Sequence, residues 1–138
     1  MATKRLELTL LVYREDGGRC DPDSLKPLVP EEGSRLRYNE ESGSAAIELA
    51  EVSAADFPET DAGAEAFEEA QREVFQRAGK WLEHRSAAAF AGVRAAGLVT
   101  EMWLFAELSG DQFELNAAPG FLRACGEREL PFRLITND

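Results

Sequence analysis

The run Leu98-Val99-Thr100-Glu101-Met102-Trp103-Leu104-Phe105-Ala106-Glu107-Leu108 decides the fold. Met102, Leu104, Ala106 and Leu108 fall on one side, and Glu101, Trp103, Phe105 and Glu107 on the other. Extended backbone alternates its side chains with a period of two, so this is a strand with one largely apolar face. The second face mixes aromatic and acidic residues and has two readings. Either a helix covers Trp103 and Phe105 and they belong to the core, or the face is an open aromatic-acidic patch of the kind used to bind proteins.

Working outward, Arg5 to Tyr13 alternates in the same way, with Leu6, Leu8, Leu10 and Val12 on one side. Its other side, Glu7, Thr9, Leu11 and Tyr13, turns apolar towards the end, which predicts a central strand. Asp21-Pro22-Asp23 reads as a capped helix start, cut short by Pro27 and Pro30. Arg35–Tyr38 and Ala45–Val52, joined through Ser42-Gly43, form a hairpin, with Ile47 and Leu49 sharing a face. From Ala64 to Gly97 the period is helical, with Phe67, Val74, Phe75, Ala78, Trp81 and Leu82 in one stripe. Phe90 and Val93 would point away from that stripe on a straight helix, so a break near His84-Arg85-Ser86 is expected, with Ser86 capping a second helix. After the deciding strand come a strand at Gln112–Leu115, a short helix from Pro119 carrying Phe121, Leu122 and Cys125, and a last strand over Pro131–Thr136. The expected order is β-α-β-β-α-α-β-β-α-β. That is an α+β fold, a mostly antiparallel sheet with helices packed on one face.

At 138 residues, with 44% hydrophobic and 30% charged residues, the chain is expected to be a single domain over 1–138. A net charge of −11 disfavours nucleic acid and anionic membrane surfaces. No apolar run approaches the length of a membrane span, and Glu7 interrupts what would be the core of a signal peptide. Residues 15 to 69 hold sixteen acidic and four basic side chains, a net of −12, so the whole excess lies in one stretch. It reads as a solvated surface that aids solubility or as a docking face for a basic partner. Cys20 and Cys125 are 105 positions apart and form no metal or redox motif; both are expected as free thiols in a cytoplasmic protein, Cys125 buried and Cys20 open to solvent.

No catalytic signature emerges. The lone histidine, His84, lies at the helix break beside Arg85, a surface or hinge position. One histidine and two distant cysteines cannot make a zinc site, there is no calcium loop, and Gly17-Gly18 lacks the phosphate-loop lysine. No metal or cofactor is expected. Glu101 and Glu107 are the best candidates for an acid-base pair, on an otherwise apolar strand, although a glutamate on the sheet's open side explains each of them as well.

The opening strand ending at Tyr13, the Asp21-Pro22-Asp23-Ser24-Leu25 start and the carboxy-terminal run, from the helix to Gly97 through Phe113-Glu114-Leu115, Phe121-Leu122 and Phe132-Arg133-Leu134, resemble a family of small bacterial domains of unknown function. The resemblance covers the two ends of the chain, and residues 53 to 80 depart from it. Some such domains look like immunity proteins, which neutralise a toxin delivered between cells; the resemblance implies no catalytic residue. The leading expectation is a non-enzymatic binding module, monomer or homodimer, for a basic protein such as a toxin. Its contact residues would come from Glu31, Glu32, Glu40, Glu41, Glu101, Trp103, Phe105 and Glu107. A small-ligand binder or carboxylate enzyme is the alternative, and a regulatory protein with a merely solubilising surface the third reading.

Overall fold

In the computed structural model, residues 3–29, 36–109 and 114–136 are described. Strand β1 (Thr3–Arg14) and strand β4 (Leu98–Leu108) pair antiparallel at the centre of a five-stranded sheet. Leu6 sits opposite Ala106, Leu8 opposite Leu104 and Leu10 opposite Met102, so the two apolar faces merge into one buried layer. The hairpin of β2 (Leu36–Tyr38) and β3 (Ala45–Ser53) adds to β1, and β5 (Phe132–Thr136) runs parallel to β4 at the other edge, giving the order β2-β3-β1-β4-β5. The fold is α+β, in the expected order of elements. Of the Gln112–Leu115 strand, residues 112 and 113 lie outside the described residues, and Glu114 and Leu115 have no regular structure.

Helix α1 (Asp61–Glu83) starts earlier than its apolar stripe implies, because Thr60 caps it: the hydroxyl accepts a hydrogen bond from the Gly63 N–H at 3.0 Å. Gly63 is required there, since a Cβ would stand 1.9 Å from the Pro58 carbonyl oxygen. Phe67, Val74, Phe75, Ala78 and Leu82 are buried, as the stripe demands, while Trp81 is half-buried under the Arg85 guanidinium, 3.8 Å from the ring centre. The break falls at His84–Ser86. Ser86 caps α2 (Ala87–Ala95), accepting from the Ala89 N–H at 3.1 Å, and Phe90 and Val93 are thereby buried.

Helix α3 (Pro119–Glu127) packs Phe121 edge-on against Phe75 and Phe132. Its Leu122 is 47% exposed, pointing away from the buried side that Phe121 and Cys125 share. Arg128 then closes the helix layer. Its buried guanidinium donates to the carbonyls of Arg85 at 2.9 Å and Ala124 at 3.1 Å, tying the helix break to the end of α3. All three helices lie on the side of the sheet that carries Leu6, Leu8, Leu10, Val12, Met102 and Leu104.

Three local expectations are corrected. Leu49 does not share the inward face with Ile47: it is the extra residue of a β-bulge, and Ala50 and Val52 take the inward places. Cys20 is buried, its thiol donating to the Val12 carbonyl at 3.4 Å, because the loop after β1 folds back over that strand's end. The short helix after Cys20 is a single 3₁₀ turn, Pro22–Leu25, with Asp21 accepting from the Asp23 N–H at 3.0 Å as expected of a cap.

Candidate functional site

The second face of the sheet carries Glu7, Thr9, Leu11 and Tyr13 from β1 opposite Phe105, Trp103, Glu101 and Val99 from β4. No described helix lies over it. Leu11, Tyr13, Val99, Trp103, Phe105 and Ile135 are half-buried. The alternative of a helix-covered core for Trp103 and Phe105 is therefore excluded among the described residues.

Glu101 is buried on this face, at 5% exposure, as is Thr9. One carboxylate oxygen accepts from the Trp103 indole N–H at 2.9 Å and from Arg133 at 3.2 Å, and the other accepts from the Tyr13 hydroxyl at 3.0 Å. A buried carboxylate is tolerated when its lone pairs are met in this way. Hydrogen bonding to it pushes the Tyr13 phenol above its ordinary range. Glu101 thus fixes a tryptophan, a tyrosine and an arginine side by side. Phe105 extends the group, its ring 5.7 Å from Trp103 at a tilted angle.

Glu107 is elsewhere. Six residues along a strand separate it from Glu101 by roughly 20 Å, well beyond the ~5–10 Å that an acid-base carboxylate pair requires. It sits at the far end of the sheet, opposite Arg5, at the lip of a cleft of about 970 Å³ that also includes Lys4, Phe57, Thr60 and Phe67. Glu40 and Glu41 are exposed at the tip of the β2–β3 hairpin, where Asn39 accepts from the Glu41 and Ser42 N–H groups. Glu31 and Glu32 lie outside the described residues.

The acidic stretch 15 to 69 is not one face. Glu65, Glu68 and Glu69 are exposed on α1, on the helix side, whereas Glu48 and Glu51 lie on the open side of the sheet. Strict alternation would put positions 48 and 51 on opposite faces; the bulge at Leu49 brings both to one. There they meet Glu7, the three carboxylates lying within 4.8 Å of one another. Arg5 reaches Glu51 at 3.1 Å and Glu7 at 3.4 Å, and Arg37 reaches Glu48 at 3.4 Å and Glu7 at 3.7 Å. This cluster escaped the sequence reading, since the spacing of its members reveals nothing until the bulge is known.

Both cysteines are free thiols, and burial pushes Cys125 up to about 12. His84 is exposed at the end of α1. Among the described residues no helix is long and apolar enough to cross a membrane. Compared with known proteins, the chain matches no family model, no curated protein and no solved structure.

Proposed function

We propose that this protein is a non-enzymatic binding module that recognises a basic protein through the uncovered face of its sheet. An immunity protein opposing a basic toxin is the particular form that the sequence resemblance implies. The observation that carries this reading is the Glu101 network. Tryptophan, tyrosine and arginine dominate the energetics of protein interfaces. Here Trp103, Tyr13 and Arg133 are held by one buried carboxylate before any partner arrives. Side chains already fixed lose less entropy on binding. The net charge of −11 adds long-range attraction for a cationic partner.

The test is affinity capture from a lysate of the native cell, with the wild-type chain beside Trp103→Ala, Phe105→Ala and the helix-side control Arg123→Ala. The reading expects a basic protein retained by wild type and Arg123→Ala and lost with both face variants. Retention by all four chains, or loss only with Arg123→Ala, would place recognition elsewhere.

The cleft at the end of the sheet supports a second reading, a small-ligand binder. It combines the Phe57 and Phe67 rings, 5.6 Å apart, with Lys4, Asp61 and Glu107. A metabolite screen read by thermal shift, repeated on Glu107→Gln, tests it: a hit that Glu107→Gln abolishes would favour this reading over the first.

A further inference from the structure

Strand β5 ends the sheet on the β4 side. The Met102 N–H donates to the Pro131 carbonyl at 2.8 Å, and Trp103 pairs with Arg133 and Phe105 with Ile135. In a parallel ladder, alternate residues of a strand turn their backbone groups to a given neighbour. That bond therefore turns the odd-numbered residues of β5 towards β4, and the N–H and C=O groups of Phe132, Leu134 and Thr136 outward. Among the described residues, none of these outward groups has a hydrogen-bond partner. Sheet edges are ordinarily blunted by proline, lysine, a bulge or a covering element. Phe132–Thr136 contains neither proline nor lysine, and its register with β4 is unbroken. Its one charge, Arg133, is engaged by Glu101 on the open face at 3.2 Å. The rest of this edge is apolar and exposed. Leu134 is 41% exposed, and Leu122, noted above, stands on α3, which packs on β5 through Phe121 and Phe132.

We infer that this edge pairs with the same edge of a second copy of the chain, antiparallel about a twofold axis through Leu134. Register, side chains and charge all choose that occupant. In register, Leu134 faces Leu134 of the other copy and Phe132 faces its Thr136, so every outward N–H and C=O of one edge meets its complement. Among the side chains, leucine meets leucine and phenylalanine meets threonine on the helix side, while Arg133 stands opposite Ile135 on the open side. No like charges are opposed. In charge, β5 lies outside the stretch 15 to 69 with its net of −12, whereas the other edge, β2, lies within that stretch and is only three residues long. The axis is normal to the sheet, so the two open faces, each with its Glu101 network, lie side by side and stay uncovered. This pairing goes beyond the binding-module reading and does not depend on it. A seam of five residues is small, so association in the micromolar range or weaker is expected.

The experiment follows the full chain by sedimentation equilibrium from micromolar to millimolar concentration, and by amide hydrogen exchange at both ends of that range. The mass is expected to rise with concentration from one copy to two and no further. It should do so more readily at about 1 M salt than at about 0.1 M, because copies of net charge −11 repel and salt screens them. The Phe132, Leu134 and Thr136 amides should exchange at least about tenfold more slowly at the high concentration. Those of Arg133 and Ile135, bonded to β4, should be slow throughout. Leu134→Pro removes an outward N–H and leaves the ladder with β4 whole, so it should weaken dimerisation at least about tenfold. Thr136→Pro, at the end of the strand, does the same should Leu134→Pro not fold. Tyr38→Ala, on the β2 edge, should dimerise as the wild type does.

A single copy at every concentration and salt, slowed exchange without the alternation, or unimpaired dimers in a folded Leu134→Pro or Thr136→Pro chain would each overturn the pairing. So would growth beyond two copies, dimers that salt dissolves, or equal weakening by Tyr38→Ala. Slowing of the three outward amides only when a basic partner is added would give the edge to a strand of that partner instead.

Discussion

Replacing Glu101 by alanine removes the acceptor for Tyr13, Trp103 and Arg133 at once. A hydrogen bond to a charged group contributes about 1.5–3 kcal/mol. The Arg133 side chain is 56% exposed, so its ion pair adds at most about 1 kcal/mol. Tyr13 and Trp103 are half-buried, and water entering from the open side meets part of what they lose. The expected net cost of Glu101→Ala is therefore about 2–4 kcal/mol. Glu101→Gln keeps one acceptor oxygen and should cost about 1 kcal/mol, since bonds to charged groups are roughly twice as strong as neutral ones. Denaturant titration of both variants measures the two costs. A second readout isolates the network from general stability. Tyr13 is raised above its ordinary 10.0, first by its hydrogen bond to Glu101, so Glu101→Gln should bring its titration down, whereas Tyr38, raised by burial, should not move. Because the folded-state value is the higher one, the Tyr13 bond stabilises below pH ~10 and is lost as pH rises through that shifted value. A cost below about 0.5 kcal/mol for Glu101→Ala, with Tyr13 titrating unchanged, would refute the network.

Other consequences can be checked independently. Phe75 is 1% exposed and packs on Phe121, so Phe75→Ala should cost about 3–5 kcal/mol; half-buried Trp81→Ala should cost about 2, and a reversed order by denaturation would contradict the packing. Burial raises both thiols, so neither Cys20 nor Cys125 should react with a disulfide reagent at mildly alkaline pH until the chain unfolds; rapid native labelling of one would contradict its burial. Asp16, held by Arg14 and the Gly18 N–H, is lowered to about 2, so its carboxyl should stay ionised until about that pH, and Arg14→Gln should raise its NMR titration towards 3.8. Its stabilising bonds are complete above pH ~3.8 and lost as pH falls through about 2.

Much of the architecture was legible because period and caps speak locally. The alternation of Leu6 to Val12 and of Met102 to Ala106 defined the two central strands, and the mismatch between Trp81 and Phe90 located the helix break. What escaped depends on register and on contacts between distant segments. No spacing announces the bulge at Leu49, yet it alone puts Glu48 and Glu51 beside Glu7. Nor does the polar neighbourhood of Cys20 reveal that its loop folds back onto β1. Glu101, Trp103 and Phe105 were singled out from one strand's face; Tyr13 and Arg133, which complete their network, come from β1 and β5 and could be joined to them only through the pairing. The acidic stretch shows the converse: contiguous in sequence, it is divided between the helix side and the open side.

The central claim is that the open face, and not the helix layer, meets the partner. Oxidative footprinting of the partner-bound chain tests it most directly, because the two tryptophans stand on opposite sides of the fold. The account predicts that Trp103 becomes protected on complex formation while Trp81 oxidises as in the free chain. Protection of Trp81 with Trp103 unchanged would contradict it.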